Sequence, residues 1–227
     1  MEPSLIVLDR VLSEVMLEIE FRPYLDYIKF MEEFLEEEEK KEHKNFQGAL
    51  SKLNPDSSEF LDFSPAKALE FAGMLRNSFF VSLYSFFENK LISQCRLRKT
   101  DSILLDFDDI RGLDVIERVK KYFTKVLRTN FPSSTREWET IQNYRIIRNC
   151  IVHAQGKMYE LKEKKDREKL QRFVNKNRNI SLVRSEEDLI GFFKKDGEIY
   201  IHRGFCEEAC NTIEIFLKIV LFPGEAE

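Results

Sequence analysis

The sequence predicts an all-α protein with one small β-hairpin just before its last helix. Three observations carry that expectation. Glycine and proline are sparse, at 8 and 6 of 227 residues, which favours long helices over a turn-rich sandwich. Phenylalanine is abundant, at 20 residues, and hydrophobic residues make up 43%, enough for a substantial core in one domain over 1–227. Apolar residues recur at helical spacing through most of the chain, and the period shortens to that of strands around Asp196-Gly197.

Leu5 to about Phe46 has helical periodicity, with Pro23 as the expected kink or break. The run EEFLEEEEKKEHKNF at its end reads as a solvated helix face with Glu–Lys pairs one turn apart. Residues 1–60 are thus an acidic helical extension. NPDSSEFLDFSP at 54–65 reads as a loop, with Ser64 and Pro65 as N-cap and first residue of the next helix. That helix, AKALEFAGMLRNSFFVSLYSFFENKLISQCRLRK, is apolar nearly all round between Phe79 and Leu91 and should be the centre of the core. Glu88 is an acid inside that run, so it faces outward, pairs with an arginine or looks into a site.

An irregular link around Asp101–Gly112 leads to a helix over Leu113–Thr129. NFPSSTREWE ends it, with Ser133 or Ser134 as the candidate N-cap of a helix running to about Ala154 and closed by Gly156. Residues 64–156 form the motif-bearing core. Residues 157–227 hold a charged stretch, two short β-like runs flanking Asp196-Gly197, and FCEEACNTIEIFLKIVLF as a closing amphipathic helix.

Several classes are excluded by what is missing. No stretch approaches the ~18 uninterrupted apolar residues of a membrane span. MEPSLIVLDR lacks the basic n-region of a signal peptide, so a cytoplasmic protein is expected. Cys206 and Cys210 are one helical turn apart, but neither Cys95 nor Cys150 nor a histidine doublet completes a metal set. The four cysteines read as small buried hydrophobes, and neither metal nor cofactor is expected. Net charge is −4, yet residues 1–64 carry 16 acids against 7 bases while 115–184 carry 18 bases against 7 acids. The second segment has the sign needed to hold a phosphate backbone, and a solvated helix face explains the same charges. The acidic extension, for its part, has the sign to guard that basic face.

Chemistry concentrates in YRIIRNCIVHAQG, Tyr144 to Gly156. On a helical wheel at about 100° per residue, Asn149 and His153 share a face, Arg145 lies near Asn149, and Arg148 falls in the apolar sector about 140° from His153. A guanidinium keeps its charge inside a protein, so Arg148 needs an acid such as Glu88, a carbonyl cluster, a partner subunit or a bound anion. An imidazole can take the proton of a ribose 2′-hydroxyl, and an arginine can hold the scissile phosphate as its charge grows. An asparagine beside them can orient the histidine or donate to a phosphate oxygen. The same residues also suit a structural ion pair and a helix-end histidine.

Arg148-Asn149-x3-His153 resembles the R-x4–6-H motif of the HEPN superfamily, in which a polar residue follows the arginine. The aromatic-rich helix SFFVSLYSFFENKL upstream fits the same family, and the resemblance covers about residues 66–156. It implies a HEPN-like helical bundle and, as in many members, a metal-independent endoribonuclease of toxin–antitoxin or antiphage defence systems. It further implies Arg148 as the phosphate-binding residue, Asn149 as its polar support and His153 as the acid/base. HEPN sites typically form where two units pair, so the resemblance implies a homodimer with the motif helix at the interface. Single-stranded or loop RNA would be the substrate, and an antitoxin or defence-system protein a further partner. Arg145 and Glu88 are added as substrate-binding candidates from the residues alone. Gln155 stands where members inactivated by nucleotidyltransferase antitoxins often carry tyrosine. The other reading of the resemblance is a non-catalytic HEPN-like module that binds RNA, nucleotide or a protein.

Overall fold

The computed structural model describes residues 3–50, 65–183 and 197–222. Those residues form six α-helices and a two-stranded antiparallel sheet placed before the last helix, the class expected. The helices are α1 (Pro3–Leu50), α2 (Pro65–Leu97), α3 (Val115–Lys121), α4 (Arg136–Ala154), α5 (Lys164–Val174) and α6 (Phe205–Leu221). The strands are β1 (Ile180–Leu182) and β2 (Ile199–Ile201), with Ser181 opposite Tyr200.

α2 is the centre, as its all-round apolar character requires. Phe80, Leu83, Tyr84, Phe87, Leu91 and Cys95 are fully buried, and α1, α3, α4 and α6 all pack on α2. Three rings lock the bundle: Phe80 of α2, Tyr144 of α4 and Phe205 of α6 lie 5.4 to 5.6 Å apart in tilted and edge-on pairs. Such pairs contribute ~0.5–1.5 kcal/mol each beyond burial. Tyr144 is one turn ahead of Arg148, so this cluster also fixes where the motif sits.

α1 does not break at Pro23. An internal proline costs a helix about 3 kcal/mol by removing a bond and crowding the previous turn. Here it lies on the exposed side, while Leu17, Phe21, Ile28, Met31 and Leu35 make one buried seam on both sides of it. That continuous packing outweighs the local cost. The acid run at the end of α1 is the solvated ladder expected, with Lys40 Nζ donating to Glu36 over 2.6 Å. α1 packs mainly on α2 and α6, and its acid run shares a cavity with Arg178 of the basic segment.

Two local expectations are corrected. α4 is capped by Thr135, whose hydroxyl accepts from the Trp138 amide at 3.2 Å, not by Ser133 or Ser134. Its C-terminal residue in the left-handed conformation is Gln155, followed by Gly156, also at positive φ. β2 pairs with β1, upstream of the expected first run; that run, 189–193, lies outside the described residues, as do the Ser64 cap and the loop at 54–64. Gly197 adopts positive φ, and its carbonyl accepts from Met158, so it ties the sheet to the end of α4. All four cysteines are buried and free, in keeping with their reading as small hydrophobes.

Candidate functional site

The motif occupies the last two turns of α4. Ile141, Tyr144, Ile147 and Cys150 bury one side of that helix, which leaves Arg148 at the edge of the buried sector and Asn149 and His153 beyond it. The helix end is rigidly placed by backbone bonds: Gly156 N–H donates to Cys150 at 3.0 Å, and Ile199 N–H to Gly156 at 2.8 Å. A side chain at Gly156 would stand 3.2 Å from Glu198, on a backbone at φ 81°, so only glycine lets the chain turn so closely onto β2.

Arg148 is half-buried, and one of its terminal nitrogens donates to Asn149 Oδ1 at 3.0 Å. Its Nε is buried without a hydrogen-bond partner. Among the described residues no carboxylate comes within ion-pair distance of it, so the expected pairing with Glu88 is not made. Glu88 is near enough to feel the charge. Burial pushes its carboxyl above the usual range, Arg148 pulls it partly back, and Asp114 pushes it further up. Tyr84 completes the neighbourhood: it is fully buried, its hydroxyl has no partner, and burial raises it well above an ordinary phenol.

Arg145 has a different environment. Its guanidinium donates to Asp114 Oδ2 at 2.6 Å and lies 3.9 Å from Asp166 of α5. The other oxygen of Asp114 accepts from the Glu117 amide at 2.8 Å and caps α3. One carboxylate thus ties the motif helix to the start of α3. Sequence reasoning missed Asp114 and Tyr84. A cap signal was present, because Asp114 directly precedes an apolar-periodic run, but its second bond links residues 31 apart and has no local signature.

His153 is exposed on the last turn, and among the described residues nothing hydrogen-bonds its ring. The structure therefore joins Arg148 to Asn149 directly, gathers Tyr84, Glu88, Asp114 and Arg145 behind them, and leaves His153 at the rim. A cavity of about 610 Å³ lies elsewhere, between the acidic half of α1, α2 and β2. Two ion pairs line it, with Arg76 bidentate on Glu32 and Arg203 on Glu36. The motif lies at the surface instead, with Arg148 and Asn149 partly exposed and His153 exposed. No group of three or more metal-ligating side chains occurs among the described residues. Comparison with protein-family models, curated proteins and solved structures finds no match.

Proposed function

We propose that this protein is a HEPN-type, metal-independent endoribonuclease that cleaves single-stranded or loop RNA in the cytoplasm, as a toxin or antiphage defence effector. The observation that carries the reading is Arg148. It is a permanent charge, half out of water, with one neutral partner and one buried nitrogen without any. A guanidinium so uncompensated is expected to meet an anion, and a phosphate diester supplies both charge and acceptor oxygens.

The 2′-hydroxyl oxygen attacks the neighbouring phosphorus while its proton passes to the His153 ring. Arg148 holds the phosphate oxygens and Asn149 holds Arg148. The bond to the 5′-oxygen breaks and that oxygen takes up a proton, which leaves a 2′,3′-cyclic phosphate and a 5′-hydroxyl. Arg145, clamped by Asp114 and Asp166, positions the helix rather than binding substrate. On this reading a second α4 brings its own Arg148 beside the exposed His153, in a homodimer paired at the motif helix. An antitoxin or defence-system protein remains the implied further partner.

The second reading is a non-catalytic HEPN-like module, favoured because no group among the described residues hydrogen-bonds the His153 ring. A cleavage assay in EDTA separates the two. Wild type should cut RNA to cyclic phosphate ends, and folded Arg148→Ala and His153→Ala should each lose at least about 100-fold in rate. RNA bound but left whole by wild type would select the binding module.

A further inference from the structure

One side of α1 carries an apolar stripe that the described chain covers only in part, with Tyr27 stacked on Phe79 and Phe34 edge-on to Phe71 of α2. Leu12 is 55% exposed, Met16 56%, Ile19 59%, Tyr27 48%, Phe30 67% and Phe34 38%. With exposed Pro23 between them, the positions run 12, 16, 19, 23, 27, 30 and 34. On the wheel they occupy about 80° of arc, roughly 120° around from the buried seam, and extend about 33 Å along the helix. Their spacing is 4-3-4, then 4-3-4. It reads identically in both directions from Pro23.

We propose that this stripe is covered by the same stripe of a second copy, the two α1 helices running antiparallel about a two-fold axis at Pro23. A two-fold interface is self-complementary, with each residue meeting its mirror position. In this register position i faces 46 − i, so Leu12 faces the partner subunit's Phe34, Met16 faces the partner's Phe30, and Ile19 faces the partner's Tyr27. The aliphatic half of each helix thus meets the aromatic half of the other. A groove of about 210 Å³ beside Leu12 and Met16, walled by Leu217 and Leu221, accepts the aromatic side chains arriving there. At the aromatic end, Phe71 and Met74 of α2 are 43% and 68% exposed and widen the apolar surface beside Phe34.

Charge selects the direction. Parallel pairing would set the acid run Glu36–Glu39 alongside its own copy, where like charges repel, whereas antiparallel pairing parts the two runs. Arg22 and Asp26 line one rim of the stripe, 3.9 Å apart and both exposed. In antiparallel helices the same rims meet, so Arg22 also reaches the partner's Asp26, twice around the axis. This surface lies on α1 and α2, apart from the Arg148 site, and the inference stands independently of the proposed chemistry.

The test uses whole protein, with the four buried native thiols as a silent background. Pro23→Cys places a thiol on the axis, and mild oxidation should give a covalent dimer in high yield. Leu12→Cys alone should not cross-link to itself, but mixed with Phe34→Cys it should. Phe30→Glu, at a site exposed enough to leave the fold intact, should halve the mass seen by light scattering. Pairing at the motif helix would double each species and leave these contrasts unchanged. Self-linking of Leu12→Cys would overturn the antiparallel register. An unchanged mass in Phe30→Glu without Pro23→Cys linkage, or a monomeric wild type at tens of micromolar, would overturn the interface itself.

Discussion

Glu88 is the residue where the environment of Arg148 can be measured without any substrate. Burial holds its carboxyl above the usual range despite the nearby guanidinium. The folded state therefore binds this proton more tightly than the unfolded chain does, and stability falls as pH rises between the two values. The contribution is complete in acid below the ordinary carboxylate range and is lost as pH climbs through the raised folded value. Glu88→Gln does not ionise, so its denaturation midpoint relative to wild type should rise from pH 4 to pH 7. A constant offset across that range would mean that Glu88 is better solvated than its surroundings imply. Glu88 and Arg148 each stood out in the sequence, because each put a charge into an apolar run. Their failure to pair within bonding distance depends on how α2 and α4 cross, which neither segment encodes alone.

Between elements, Asp114 does two jobs, capping α3 and holding Arg145. Asp114→Ala should cost about 1 kcal/mol for the lost cap and roughly 1–3 kcal/mol for the stranded guanidinium. Asp114→Asn should recover the cap share. Urea unfolding of the two variants measures both contributions, and equal losses would show that only the charge matters. Most elements were legible where one face had to be buried: the apolar spacing of α2, α4 and α6 required their helices. Ends were less so. Thr135 won the cap of α4 over two serines because its hydroxyl meets the Trp138 amide once Phe131 packs against Trp138. Pro23 was overruled by a seam that continues past it. The partner of β2 could not be read at all from a turn signal, since pairing depends on where α5 delivers the chain.

For the whole molecule, the segregation of charge along the chain was plain in the sequence. α1 with its acid run packs on α2 and α6, while the basic segment 115–184 contains the motif helix and α5, which packs on it. RNA affinity should therefore be steeply salt-dependent. With about four phosphates contacted, it should fall roughly 50-fold between 50 and 200 mM salt. Fluorescence-anisotropy titrations at the two concentrations check this, and a flat response would place RNA, if it binds, away from the basic segment.

The buried thiols have a consequence of another kind. Burial pushes Cys95, Cys150 and Cys210 up to about 12 and raises Cys206 as well. At neutral pH a thiol near that value is ionised about once in 10⁵ molecules, and the thiolate is the form that oxidants and disulfides attack. While the chain stays folded, these four thiols are therefore slow to react with oxidants and disulfides. The exposed methionines Met16 and Met74 are the more open targets of oxidation.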